Sequence, residues 1–368
     1  MGDAIPPEPI GATEVTRDAS DFTPKGKPYR EESAMRARRL VSPAPYQMTV
    51  EEFDLDDTPP SGSVLVKAAT TAISAGTEVA NYRGITVHRS ASHGNPYYPG
   101  YSFAGTVVAV GQGVDAFRPG DRVCGQVRHS SFAIADPSRL VRIPDGVTFD
   151  QAAMTTLGCI VVNAVRLARL QLGESVGVVG AGLIGQLASQ LSRLDGGRPV
   201  VCLDFIERRR ELALKCGADA ALDPRAAAAQ AQLDQLAPGG LTVVFEATGS
   251  PAALNPSLKL AARGGRVILL GSTRGLVDQF DPYGDIHVKG LTVVGAHMTT
   301  TPAAPTLSNP WTESANRRVV LDLIARRELD VDSLISHRVA PSAAGDVYAR
   351  LESAPEEFLG VLLDWTRL

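Results

Sequence analysis

The sequence predicts an α/β protein in which a β-rich domain precedes a doubly wound parallel sheet. After Gly173, apolar runs alternate with segments of helical spacing. Continuous apolar strands separated by helices mean a parallel sheet covered on both faces. Between the first such strand and its helix stands Gly180-Ala181-Gly182-Leu183-Ile184-Gly185. Upstream, from Met35 to Pro144, short apolar and β-branched runs are punctuated by glycine and proline, the pattern of strands joined by turns.

Taken in order, residues 1–33 are rich in proline and charge and have no apolar period, so they are expected to form a flexible extension. Strands are expected at 63–68, 103–110 and 121–123, and helix from about 150 to 170. The second half reads strand 175–179, helix 183–194, strand 199–203 and helix 207–216. Strands at 241–245, 266–270 and 291–294 follow, with helices at 252–262 and 314–327. The alanine run 226–229 reads as plain helix.

A chain of 368 residues with 44% apolar content can build two cores. The net charge of −4 and pI of about 5.9 argue against nucleic acid as a partner. Arg36, Arg38 and Arg39, and Arg208, Arg209 and Arg210, read as solvated faces. Cys124, Cys159, Cys202 and Cys216 are spaced neither as a zinc site nor as a disulfide scaffold, and a reducing cytoplasm fits them. The lack of any long apolar run argues against a membrane span.

The glycine spacing acquires physical meaning from its place between strand and helix. Gly180 allows the tight turn, Gly182 lets backbone approach a pyrophosphate, and Gly185 lets the helix pack on the strand. The N–H groups of Leu183, Ile184 and Gly185 then favour an anion at the helix start. Nineteen residues after Gly185, Asp204 ends the second strand, where its carboxylate is expected to accept the adenosine ribose hydroxyls. A carboxylate there repels a 2′-phosphate, so NAD is expected, with NADP open because Arg208 and Arg209 lie close in sequence.

The order of parts resembles the medium-chain dehydrogenase/reductase superfamily. The resemblance covers about Arg36 to Leu368 and is carried by the runs at 105–111, 119–123, 142–146, 246–249 and 336–338. It implies a GroES-like catalytic domain over 34–160 and 298–368, and a Rossmann domain over 161–297. It also implies that Arg209, Thr248 and Gly271 line the cofactor site.

Zinc members carry a Cys-Gly-Thr-Asp run and a Gly-His-Glu run; this chain has Ala75-Gly76-Thr77-Glu78 and Gly100-Tyr101-Ser102. Only Cys159 still matches a ligand position, whereas catalytic zinc normally takes three protein ligands. Cys159 is therefore expected to be a small buried hydrophobe, and no zinc is expected. The four-cysteine structural lobe is missing too. Gly76-Thr77-Glu78 and Pro99-Gly100-Tyr101 are similar to metal-free members such as the bacteriochlorophyllide dehydrogenase branch.

Without the metal, side chains must handle the proton that leaves an alcohol as hydride moves. Thr77 is expected as a relay hydroxyl or substrate contact, Tyr101 as acid/base, pocket wall or simple core, and Glu78 as the group that orients Tyr101. His88, His93, His287, His297 and His337 read as structural, with His297 the best placed of them. The expected activity is reversible oxidation of a secondary alcohol on a small molecule. Quinone or enoyl reduction and a silent dinucleotide binder stand as alternatives. The strand at 291–294 is expected at a sheet edge that pairs in a homodimer.

Overall fold

The computed structural model describes residues 34–85 and 96–368. The expected extension 1–33, and His88 and His93, lie outside the described residues. In the first half are β1 (Ala34–Val41), β2 (Thr49–Asp56), β3 (Val64–Ile73), α1 (Ala75–Tyr82), β4 (Phe103–Val110), β5 (Arg122–Gly125), β6 (Phe132–Ala135) and β7 (Leu140–Arg142). Two helices, α2 (Phe149–Ala153) and α3 (Thr155–Ala168), lead into the second half.

There β8 (Val176–Val179), α4 (Leu183–Leu194), β9 (Val200–Leu203), α5 (Glu207–Lys215), β10 (Ala220–Leu222), α6 (Ala229–Leu236), β11 (Leu241–Glu246), α7 (Pro251–Leu260), β12 (Ala261–Leu269) and β13 (Thr292–Gly295) alternate. The chain returns through α8 (Glu313–Ala325), β14 (Ile335–Val339), α9 (Ala344–Ser353) and β15 (Gly360–Asp364). Helix α6 starts only at Ala229, and the preceding alanines lie in turns. Propensity alone did not extend the helix, since a lone turn of alanine has nothing to pack against.

Strands β8 to β13 form one parallel sheet in the order β10-β9-β8-β11-β12-β13. The order reverses between β8 and β11, and ligands of open α/β sheets bind at that switch, beyond the carboxyl ends of the strands. Alternation along the strands fills both faces. Val200, Cys202, Val243 and Phe245 join Leu187, Ala188 and Val161 on one side. Val201, Leu203 and Val244 join Leu233 and Leu258 on the other.

The second sheet runs β14-β15-β3-β4-β5-β7, with β6 also on β3. Its core holds Leu40, Val64, Val66, Phe103, Val107, Tyr348 and Trp365. The last strands of the chain thus complete the sheet begun by the first half: β15 pairs antiparallel with β3, Val361 opposite Ile73. The basic run on β1 is a solvated face, as its sequence suggests. Arg36, Arg38 and Arg39 pair with Asp54, Glu52 and Glu51 across the β1–β2 ladder. Among the described residues no helix is long and apolar enough to cross a membrane.

Candidate active site

The crevice beyond β8 is built from backbone. Gly180 ends the strand at φ +92°, and its N–H donates to Leu203 O at 2.8 Å. A Cβ on Gly185 would lie 1.8 Å from Gly180 O, so only glycine lets α4 pack this closely on the turn. A Cβ on Gly182 would meet nothing within 4 Å, which leaves open space in front of the N-terminus of α4. Leu183, Ile184 and Gly185 open that helix, so their N–H groups have no carbonyl one turn back within it. Gly180 and Gly185 make the tight turn and the close packing expected of them, and the open space at Gly182 has room for a pyrophosphate.

The supports around it hold some surprises. Asp204, nearly buried, accepts from Ala181 N at 2.7 Å through one oxygen and from Ile206 N at 2.8 Å through the other. Its carboxylate is thus tied to the glycine loop rather than free for a ribose. Each oxygen still has a second lone pair. Arg209 also departs from expectation, because its guanidinium crosses to Pro355 O and Phe358 O at 2.8 and 3.1 Å. Only Arg208 of the triplet stays exposed, while Arg210 binds Asp204 O and Phe205 O.

Thr248 packs its methyl against Gly180, and Gly271 approaches Gly249 so closely that a Cβ would lie 2.2 Å from its N. Both loops are fixed by the buried carboxylate of Glu246. It accepts from Thr248 N, Gly249 N and Thr273 Oγ1 at 2.7, 3.1 and 3.2 Å, and from the Thr248 hydroxyl.

The other wall is made of side chains. Tyr101, just before β4, donates its hydroxyl to Ser74 Oγ at the start of α1 and also lies in hydrogen-bonding contact with the Thr77 side chain. Burial and the Glu78 charge push its pKa above 10.0, and Ser74, Thr77 and Arg274 pull it back. Arg274 arrives from the loop after β12, its Nη1 3.5 Å from Thr77 O.

Glu78 makes no hydrogen bond to Tyr101, contrary to the expectation that it orients the phenol directly. Fully buried, it accepts from Ser74 N at 2.8 Å, pairs with His129 Nε2 at 3.0 Å and accepts from the Tyr348 hydroxyl. His129 Nδ1 in turn lies 2.8 Å from Thr71 Oγ1, which takes a bond from Trp365 Nε1. Glu78 therefore holds the backbone of Ser74, and Ser74 holds the phenol. The single hydroxyl proton of Tyr101 goes to Ser74 Oγ, so none is left for Glu78, whose oxygens already accept from Ser74 N and Tyr348.

Ser74, His129, Arg274 and Tyr348 are the site residues that sequence reasoning missed. Ser74 directly precedes Ala75-Gly76-Thr77-Glu78 and was within reach of a local reading. Tyr348 lies 270 positions from Glu78, and nothing local marks it. Of the weaker histidines, His297 caps a short turn by accepting from Thr299 N at 3.3 Å. His287 stacks on Tyr283, and His337 lies against Phe358 on β14.

The described donors do not fit a catalytic zinc. Among the described residues no three of His, Cys, Asp and Glu come together to hold a metal ion. Cys159 lies fully buried on α3, its thiol pushed up to about 12 by burial.

Residues 60–142 match the alcohol dehydrogenase GroES-like domain, and residues 184–314 match the zinc-binding dehydrogenase family. An L-threonine 3-dehydrogenase of Vibrio parahaemolyticus is 30% identical over 237 residues, 55% of this chain and 67% of that protein. The chain belongs to the medium-chain dehydrogenase/reductase superfamily. The (R,R)-butanediol dehydrogenase of Bacillus subtilis is 24% identical over 202 residues, 48% of this chain. There the match spans 58% of the relative's length. An alcohol dehydrogenase of Escherichia coli, solved with NADH, shares the fold at a TM-score of 0.74 and 21% identity, over 89% of this chain and 99% of that one.

Proposed function

We propose that this medium-chain dehydrogenase/reductase interconverts a secondary alcohol and a ketone with NAD and without zinc, Tyr101 carrying the proton. The observation behind the reading is the Tyr101 hydroxyl, held by Ser74 and Thr77, at the position where the motif resemblance implies a metal ligand in zinc members. The nicotinamide, when bound, supplies the hydride acceptor or donor. The first N–H groups of α4 hold the pyrophosphate, and Asp204 offers its remaining lone pairs to the ribose. Thr248 and Gly271 close the crevice around it.

Because burial keeps the Tyr101 phenol protonated at neutral pH, it is ready to donate to a forming alkoxide during ketone reduction. During alcohol oxidation it takes the proton only once ionised. Ser74 and Thr77 pass the proton outward through their hydroxyls.

In this reading residues 34–160 with 298–368 form the catalytic domain and 161–297 the cofactor domain, in a cytoplasmic enzyme. Strand β13 stands at the edge of its sheet, and pairing it with its twin in a homodimer covers the open edge.

A panel of alcohols, ketones and enones, followed by the absorbance of the reduced cofactor, tests the reaction, and elemental analysis tests the metal. Turnover of an alcohol–ketone pair at well below one zinc per chain, unaffected by chelators, is the expected result. Stoichiometric zinc whose removal abolishes turnover overturns the zinc-free mechanism. Activity on enones alone moves the chain to the reductases.

A further inference from the structure

Arg274 is a cation whose surroundings do not account for it. It projects from the loop that follows β12 and Gly271, crosses to α1, and meets Thr77 O at 3.5 Å, the outer limit of a hydrogen bond. Its Nε is buried with no partner. Among the described residues no carboxylate stands within ion-pair distance of it, whereas Arg39 has Glu51 and Arg225 has Asp223. The groups that act on its charge are the phenols of Tyr101 and Tyr97. Glu78, the carboxylate behind those phenols, is already held by Ser74 N, His129 and Tyr348.

A guanidinium presents five donors in a planar fork, and withdrawing it from water without an anion is costly. Burial lowers the pKa of Arg274, as that cost requires. Here the fork lies beside the phenol that handles the proton, on the wall where a substrate alcohol lies.

We propose that Arg274 anchors an oxyanion, a carboxylate or a phosphate, carried by the substrate at a short distance from the reacting hydroxyl. The enzyme is then specific for acidic hydroxy compounds, sugar acids or sugar phosphates among them, over neutral alcohols of the same size. This rests on reading the crevice between Arg274, Tyr101 and Thr77 as the substrate site. Paired binding of anion and guanidinium replaces the weak carbonyl contact with charge-assisted bonds, and it fixes the hydroxyl beside Tyr101.

Calorimetry on the full chain, with and without NADH, compares D-glucitol, D-gluconate and D-glucitol 6-phosphate, which share a carbon chain and differ in the terminal group. Gluconate, the phosphate or both should bind at least tenfold more tightly than glucitol, and the two arms tell which oxyanion is preferred. Arg274→Gln should close the gap. Arg274→Lys should keep more of it for phosphate than for carboxylate, because an ammonium is a point charge that cannot form the fork. Equal or undetectable binding of all three, or a gap that survives in Arg274→Gln, overturns the proposal. So does a tenfold loss of NADH affinity in Arg274→Gln with the gap intact, which assigns the guanidinium to the cofactor. If the gap closes as expected yet no hydroxy acid or sugar phosphate is oxidised, the anion site stands and the dehydrogenase reading fails.

Discussion

The glycine loop after β8 and the corner around Tyr101 are built in opposite ways. The first is made of backbone from one short stretch, 180–185, and its chemistry lies in N–H groups that any sequence of the right shape would expose. The second is made of side chains from distant stretches: Ser74 capping α1 and Thr77 on it, Tyr101 before β4, Arg274 from the loop after β12, and His129 and Tyr348 behind them. A backbone site fails when the chain cannot take its shape. A side-chain site fails when one atom is removed, even though the shape survives.

The largest expected effect breaks the backbone site. Gly185→Val forces a Cβ against Gly180 O, and it should cost about 3 kcal/mol or more in urea unfolding and abolish NADH binding measured by fluorescence. Gly182→Ala separates shape from binding. With open space at that position and φ of −68°, it should unfold like the parent within about 1 kcal/mol, yet bind NADH roughly tenfold more weakly. If both variants lose stability equally, the open space at Gly182 is not a ligand cradle.

Next comes the side-chain site. Tyr101→Phe should leave NADH affinity and stability nearly unchanged and reduce turnover about 10²–10⁴-fold. Since burial and Glu78 raise the Tyr101 pKa above 10.0, alcohol oxidation should climb with pH through the alkaline range, where the phenol ionises. Ketone reduction, which uses the protonated phenol, should stay level near neutrality and fall as the phenol ionises. Both dependences should vanish in Tyr101→Phe, and turnover that stays near normal in that variant makes the phenol a pocket wall.

Glu78→Ala should act through stability. It strips His129 and Tyr348 of a buried acceptor, and breaking a buried pair costs about 3–5 kcal/mol. Urea unfolding measures the loss. The smallest effect is on cofactor choice: Asp204→Ser should narrow the preference for NAD over NADP, a charge-assisted bond being worth about 1.5–3 kcal/mol. Because Asp204 also holds Ala181 N, cofactor affinity should weaken for both forms. Equal efficiency with NAD and NADP in the parent would assign the choice to Arg208.

What the sequence determined by itself was whatever depends on neighbours along the chain. Apolar period placed β8, α4 and β9 within a residue or so, and glycine spacing located the cradle, because tight turns and close helix packing exclude a Cβ regardless of the rest of the molecule. The tertiary structure alone decided which polar atoms meet. It gave Asp204 to Ala181 N, sent Arg209 to the carbonyls of Pro355 and Phe358, joined Glu78 to Tyr348 rather than to Tyr101, and brought Arg274 across to Thr77. A buried donor or acceptor takes whichever partner the packing leaves within about 3 Å, and distance along the chain does not enter into that choice.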